Sequence, residues 1–374
     1  MKVLFSCSVA LSLRNFRGRL LESIRKRGHE VVAIAPDFDH DMLAWCAERG
    51  IATDDSPIDG QGLNPLRDLT SLAKLVGTVR EHKPDVVLGY TPKPAIYTAL
   101  AAKLAGVPHV TMMVTGLGYG FMAGEEGWKA KIVPPLVRNL YRAACAACDT
   151  VIFHNADNRR TFLDLGILRQ PRKAVVVNGS GVDLDHYAPL PFPEVGGPHE
   201  IAFLLVGRIV RYKGILEYAK AAARVREKYP QARFLLAGYY DRNPLSYLPE
   251  EWAFIEKSLD YLGPQSDVRG VFAQSHVYVL PSYGEGMPRT VLEAMAHGRP
   301  VITTETFGCR DTVAEGENGF LVPVKDEIDL ADAMIAFLSG NADYDAMGSR
   351  SLEIVRDCFE VEKVNADMRA AMRL

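Results

Sequence analysis

Cysteine is scarce and scattered: six stand in 374 residues, at 7, 46, 145, 148, 309 and 358. Only Cys145-Ala-Ala-Cys148 has metal-like spacing, and no second pair accompanies it. The pair falls in an alanine-rich, helix-forming stretch, so the cysteines are expected to be small core residues in a reducing cytoplasm. No apolar run approaches the ~20 residues that a membrane-crossing helix requires. The N-terminus, Met1-Lys-Val-Leu-Phe-Ser-Cys7, is short and apolar, and Arg14 and Arg17 follow soon after. It reads as a first core strand, not as an export signal. A strong charge of one sign is also missing, the net being −3. With no recognisable binding module, that balance argues against nucleic acid as a partner.

The near-neutral total hides an asymmetry. Residues 1–190 hold 23 basic and 19 acidic side chains, whereas residues 191–374 hold 20 and 27. The basic clusters of the first half, Arg25-Lys-Arg27 and Arg169 with Arg172 and Lys173 among them, suit an anionic lipid surface or a phosphorylated acceptor. They equally suit solvated helix faces.

At 374 residues the chain exceeds one ordinary core, and two domains are expected. Short continuous apolar runs alternate with helical stretches throughout. Residues 2–7, 30–35, 85–90, 110–115, 150–154 and 174–177 read as buried parallel strands. Helical stretches such as 15–27, 65–82, 94–105 and 129–147 lie between them. The run His186–His199 carries four prolines and two glycines, which break any regular element, and is read as the linker. Beyond it the pattern restarts, with strands at 201–206, 233–237, 277–280 and 301–303. The expected architecture is α/β, with two Rossmann-like, doubly wound domains facing each other across a cleft, and ligands beyond the carboxyl ends of the strands. The first domain is expected over 1–190 and the second over 191–358.

Two segments of the second domain carry chemistry. In Leu204-Leu-Val-Gly207-Arg208-Ile-Val-Arg-Tyr-Lys213-Gly214 a buried strand runs into a glycine, an arginine, a lysine and a second glycine. Glycine lets backbone approach a ligand closely. Arg208 offers a planar fork and Lys213 a mobile point charge to a diphosphate near a helix N-terminus. The second segment, Tyr283-Gly-Glu285-Gly286-Met287-Pro288-Arg-Thr-Val-Leu-Glu293, follows the strand at 277–280. Pro288 suits the first position of a helix. That places Glu285 in the loop before the helix and Glu293 on its second turn. Two carboxylates there can hold several hydroxyls of one polar ligand.

In these segments the chain resembles the retaining glycosyltransferases of the GT-B fold, family 4. Their Glu-x7-Glu pattern appears here as Glu285-Gly-Met-Pro288…Glu293-Ala-Met-Ala-His-Gly-Arg-Pro300. Leu280-Pro-Ser282, Asn178-Gly-Ser-Gly-Val-Asp183 and Glu317-Asn-Gly-Phe-Leu-Val322 extend the match over essentially the whole chain. Val114-Thr115-Gly116-Leu-Gly118-Tyr119 and Asp241-Arg-Asn-Pro244 look, more narrowly, like bacterial enzymes that extend undecaprenyl-diphosphate-linked saccharides. The resemblance implies transfer of a sugar from a nucleotide donor, UDP-linked, to a lipid-linked saccharide acceptor. It implies that Arg208 and Lys213 hold the donor diphosphate, that Glu293 accepts ribose hydroxyls, and that Glu285 contacts the donor sugar. Gly207 and the backbone at Gly286, Met287 and Pro288 would line the sugar–phosphate pocket, and Gly263 to Val268 would meet the base. Residues 359–374 are implied to form a helix that crosses back to the first domain. A cytoplasmic enzyme, at the cytoplasmic face of the inner membrane, is the implied setting.

The chain departs from that pattern in two places. The segment after the first strand, Ser6-Cys-Ser-Val-Ala-Leu-Ser-Leu-Arg14-Asn15-Phe-Arg17, lacks the glycine-rich loop of many relatives. Asn15 and Arg17 are candidates for donor or acceptor contacts there, with surface residues of a helix N-terminus as the alternative. No imidazole or carboxylate stands at Thr115, Gly116 or Gly118, which leaves the acceptor's proton to the departing phosphate, as the resemblance implies for front-face transfer. The nearest histidine in sequence, His109, is expected to be structural. Asp37-Phe-Asp39 and Asp183-Leu-Asp185 fit a metal-binding Asp-x-Asp pattern, but Arg208 and Lys213 already supply the charge, and no metal or other cofactor is expected. The run from Gly116 to Gly124, with Trp128, Lys129 and Lys131, suits either a membrane interface or a cleft loop. Two other classes compete: a nucleotide-sugar epimerase of the same fold, and a non-catalytic, two-lobed sugar-binding protein. The latter class usually carries an export signal and has no need for Arg208 and Lys213 beside two glutamates.

Overall fold

Among the described residues thirteen short strands, most of them apolar on both faces, build two parallel sheets in a computed structural model. It describes residues 1–58, 65–117, 128–194, 196–197, 199–240 and 246–374, with backbone alone at 65, 66 and 128–132. The first sheet contains β1 (Lys2–Ser6), β2 (Glu30–Ala35), β3 (Ile51–Asp55), β4 (Val86–Gly89), β5 (His109–Val114), β6 (Thr150–Phe153) and β7 (Ala174–Val176), ordered β3-β2-β1-β4-β5-β6-β7. The second contains β8 (Ala202–Val206), β9 (Arg233–Ala237), β10 (Asp260–Tyr261), β11 (Val277–Leu280), β12 (Val301–Thr304) and β13 (Gly319–Val322), ordered β10-β9-β8-β11-β12-β13. Every pairing is parallel, for instance Leu4 opposite both Val32 and Val87, and Leu204 opposite both Leu235 and Tyr278.

Parallel strands need crossovers, and helices supply them. In the first unit these are α1 (Leu11–Lys26), α2 (His40–Glu48), α3 (Pro65–His82), α4 (Pro92–Ala105), α5 (Trp128–Ala147) and α6 (Ala156–Asp164). In the second they are α7 (Ile215–Lys228), α8 (Pro249–Ser258), α9 (Arg269–Phe272), α10 (Arg289–Ala296), α11 (Glu327–Leu338) and α12 (Tyr344–Ile354), and α13 (Val361–Ala371) ends the chain. Alternate residues of each strand feed opposite faces, so each sheet has a core on both sides. Leu4, Val32 and Val87 pack with α4, while Val3, Phe5 and Val31 pack with α1, with Val364 and Met368 of α13, and with Met372 just after it. Phe203 and Leu205 face α7 and α11, whereas Leu204 and Leu235 face α10.

The chain divides into Met1–Ser180 with Val361–Leu374, and Gly181–Glu360. The division falls before residue 190 because Val182 already donates its N–H to the Phe359 carbonyl at 2.8 Å, and Val182 and Tyr187 are buried in the second unit's core. Three strands go beyond the sequence reading. β3 and β10 lie at sheet edges, where half-polar or two-residue strands suffice, and β13 closes the other edge of the second sheet. All six cysteines are free thiols, and Cys145 and Cys148 are buried in the core against α4. Asp241–Pro244, Gly118 and the rest of the run to Gly124 lie outside the described residues.

Candidate functional site

In the second sheet β8 connects to β9 on one side while the chain later returns to β11 on the other. The crevice at the carboxyl ends of β8 and β11 is therefore the topological switch point, where open α/β sheets take ligands. Tyr278 of β11 ties this edge together. Its hydroxyl lies 3.0 Å from the Val206 carbonyl, at the end of β8, and 2.6 Å from Thr290 Oγ1, in the first turn of α10.

After β8 the chain passes Gly207 and Arg208, makes a 3-10 turn over Arg211–Lys213 and enters α7 through Gly214. Gly214 has φ +69°, and a Cβ there would stand 2.0 Å from the Pro281 carbonyl oxygen. Glycine is thus required where the two loops touch. That contact brings Lys213 to the loop after β11. Lys213 Nζ donates to Glu285 Oε1 at 2.6 Å, and Ser282 Oγ lies 2.7 Å from the same oxygen. The pair is shielded, with side chains 14% and 15% exposed. Arg208 is exposed, hydrogen-bonds the Tyr212 hydroxyl and holds its guanidinium 5.8 Å from that ring's centre.

Pro288 occupies the cap of α10, with φ −75° and ψ 100°, one position before the helical site expected for it. Its carbonyl still accepts the Val291 N–H at 3.0 Å. Glu293 falls on the second turn and is 5% exposed. Arg289 Nε donates to its Oε1 at 2.9 Å, and the Tyr187 hydroxyl bonds it as well. Burial pushes the Glu293 carboxyl up, while the Arg289 charge and the two hydrogen bonds hold it down. Gly286 and Met287 are half-buried between the two glutamates, with Met287 against the core. Gly263, at φ +70°, accepts the Gly238 N–H at 2.9 Å, and Val268 caps α9.

The structure thus joins Lys213 to Glu285 directly, gives Glu293 the separate partners Arg289 and Tyr187, and leaves Arg208 on the surface. Tyr187 escaped the sequence reading because it lies in the proline-rich stretch taken as a linker, where nothing marks a ligand contact. Arg289 is visible only as the i,i+4 partner of Glu293. Chemically, this edge offers a mobile ammonium, a guanidinium, two carboxylates and the start of α10: a set suited to a ligand bearing both phosphate and hydroxyls.

In the first unit, Asn15 is exposed on α1, and Thr115 and Gly116 are half-buried beyond β5. Arg17 is not the surface residue that a helix N-terminus suggested: it is 3% exposed. Its Nη2 lies 2.8 Å from Met113 Sδ and 3.2 Å from His154 Nε2, and its Cζ lies 5.4 Å from the centre of the Tyr90 ring. Burial and the nearby guanidinium hold His154 well below the usual histidine range. The two Asp-x-Asp segments build local structure. Asp39 accepts the Met42 N–H at the start of α2, and Asp183 accepts the N–H groups of Asp185 and His186. Among the described residues no three His, Cys, Asp or Glu side chains cluster as metal ligands would.

Residues 14–179 match the glycosyl transferase 4-like domain, and residues 200–340 match the glycosyl transferases group 1 domain. Among curated relatives, the N,N'-diacetylbacillosaminyl-diphospho-undecaprenol alpha-1,3-N-acetylgalactosaminyltransferase of Campylobacter jejuni is 25% identical over 90% of this chain and 89% of that protein. The UDP-Gal:alpha-D-GlcNAc-diphosphoundecaprenol alpha-1,3-galactosyltransferase of Escherichia coli is 29% identical over 84% of each. Among solved structures, Anabaena Alr3699/HepE in complex with UDP superposes with a TM-score of 0.75 over the full length of both chains, at 18% identity.

Proposed function

The chain is a glycosyltransferase of the GT-B fold, and from that premise we propose that it moves an N-acetylhexosamine or hexose from a UDP-sugar to a polyprenyl-diphosphate-linked saccharide, with retention, in surface-glycan or glycoprotein assembly. The names of the two curated relatives support this substrate class. The observation that carries the reading is the Lys213–Glu285 pair at the switch point of the second sheet.

A donor diphosphate entering that edge gives Lys213 a partner of higher charge than Glu285. The ammonium turns to the phosphate, where charge grows as the sugar departs, and the carboxylate oxygens become acceptors for sugar hydroxyls. Arg208, hydrogen-bonded to Tyr212, reaches the same phosphates. Glu293 takes the ribose hydroxyls, with Arg289 and Tyr187 fixing its orientation. Gly207 and the backbone at Gly286, Met287 and Pro288 line the pocket, and Gly263 to Val268 meet the base. The first unit takes the acceptor, with Asn15, Thr115 and Gly116 as its contacts. The departing phosphate oxygen takes the acceptor's proton. With two cations in place, no metal is needed. The enzyme works in the cytoplasm at the inner membrane face, and the basic clusters of the first half touch anionic lipid. Among the described residues no helix is long and apolar enough to cross a membrane.

The test is turnover of UDP-sugars on a lipid-linked acceptor, with a chelator present. K213A and E285A should each lower kcat by about 10²–10³-fold, the usual loss of one transition-state contact, with an unchanged far-UV circular dichroism spectrum. Near-wild-type rates in either variant contradict the roles assigned. Wild-type activity that the chelator abolishes and magnesium or manganese restores overturns the metal-free reading.

A further inference from the structure

The loop that carries Glu285 begins at Tyr283, whose carbonyl accepts from Thr306 Oγ1 at 3.4 Å and which is fixed at three further points. Its N–H donates to the Tyr212 carbonyl at 2.8 Å, next to Lys213 in the chain. Its hydroxyl donates to Glu217 Oε1, on the first turn of α7, at 2.7 Å. The Lys325 ammonium lies 4.9 Å from the centre of its ring. Glu217 is unusual in its own right: it is a carboxylate 9% exposed, and its Oε2 is buried with no hydrogen-bond partner among the described residues. The start of α7 favours its negative charge, and the Tyr283 phenol satisfies its other oxygen.

We propose that Tyr283 and Glu217 form a positioning pair that sets the Lys213–Glu285 couple in register for the donor sugar. The deduction rests on the donor-site reading above and names residues for which that reading has no use. Glu217 stands on α7, directly beyond the turn that delivers Lys213, and Tyr283 stands two residues before Glu285. A hydrogen bond between them therefore fixes the spacing of the two loops at the point where they diverge. Gly284, between Tyr283 and Glu285, has φ +155° and lies against the Phe307 ring, so the turn after β12 holds one side of the loop and the phenol ties the other to α7. Losing the phenol's anchor lets the carboxylate of Glu285 drift relative to the ammonium of Lys213. Neither Tyr283 nor Glu217 needs to touch substrate.

Misplacement by about 1 Å costs up to ~10²-fold in rate, so Y283F and E217A should each lower kcat by roughly 10- to 100-fold. The affinity for UDP, measured by calorimetry, should fall far less than kcat, because Glu293 on α10 and the β10–α9 loop, which hold the ribose and the base, are untouched and Arg208 still meets the diphosphate. The double variant should lose no more than the worse single one, since both break one bond. E217Q, which keeps an acceptor for the phenol, should be faster than E217A. Four outcomes overturn the proposal: a wild-type kcat in Y283F, losses that multiply in the double variant, UDP affinity and melting temperature that collapse together with kcat, or E217Q no better than E217A. Failure of the donor-site reading looks different: UDP then does not bind the wild type, or E285A turns over normally. An inactive E285A beside a fully active Y283F removes the positioning pair alone.

Discussion

Arg299 is fully buried and has carbonyl oxygens for company. Its guanidinium donates to Pro191 at 2.7 Å, Leu190 at 2.8 Å, His297 at 3.0 Å and Phe272 at 3.4 Å, and it lies 4.5 Å from the centre of the Phe192 ring. Burial draws its pKa down to about 10, so it remains a cation at neutral pH. The proline-rich stretch expected to be a linker is in this way clasped to the second unit. Nothing in the sequence pointed there, because Arg299 reads only as a variable position before Pro300. Glu285 and Glu293, by contrast, were legible: their spacing across a strand–loop–helix junction follows from local rules. A clasp between residues more than a hundred positions apart does not. Truncating Arg299 removes the donors of the Leu190 and Pro191 carbonyls, at ~1–3 kcal/mol each when nothing replaces the bond, whereas the Phe272 and His297 carbonyls keep the N–H groups of Ser275 and Leu190. R299A should therefore lose about 2–4 kcal/mol in urea unfolding. R299K should recover only part of it, because a point charge cannot reproduce a planar fork. A loss below about 1 kcal/mol, or full recovery by lysine, contradicts this account.

The strand–loop–helix elements were read with little error, because continuous apolar runs and helix-forming stretches alternate so regularly. What holds one element's loop against the next was hidden. Thr303 and Thr304, at the end of β12, hydrogen-bond the carbonyls of Leu280 and Ser282, and the Phe307 carbonyl accepts the Glu285 N–H at 3.1 Å. The turn after β12 thus forms one wall of the loop carrying Glu285. Gly308 makes the approach feasible: its φ is +76°, and a Cβ would stand 2.4 Å from the Glu285 carbonyl oxygen. An alanine there must shift backbone rather than a side-chain tip. A residue forced into this region costs about 1–3 kcal/mol, and here the displaced atoms belong to Glu285 itself. G308A should thus lower kcat by at least about tenfold, through the misplacement that makes ~1 Å costly, and lower the melting temperature by several degrees. Wild-type kinetics in a folded G308A would show that the turn does not hold the loop.

At the scale of the whole molecule, both units bury neutral imidazoles. His109 and His154 lie in the first and His276 and His297 in the second, each at most 6% exposed. Desolvation is the largest cause in every case and lowers all four pKa values, that of His276 to about 4. Backbone hydrogen bonds at His109, His276 and His297 oppose this without cancelling it, while two donors favour the neutral form. The Ala202 N–H donates to His276 Nδ1 at 3.1 Å, and an Arg17 N–H points at His154 Nε2, so a proton on either nitrogen would face another donor. A histidine whose folded pKa lies below its unfolded value of about 6.5 binds protons in the unfolded chain first. Its contribution is complete above pH ~6.5 and is lost as pH falls toward the folded value. For His276 the loss runs from about 6.5 to about 4 and amounts to ~3 kcal/mol at most. Asp267, held near about 2 by Arg269, titrates outside that window. The melting temperature should therefore fall steadily between pH 7 and pH 4, before ordinary carboxylate titration dominates. H276N keeps an acceptor for Ala202 but cannot take up a proton, so its profile should be flatter over the same range. A wild-type profile level from pH 6.5 to 4, or an H276N profile as steep as the wild type's, would show that buried imidazoles do not set the acid limit of this fold.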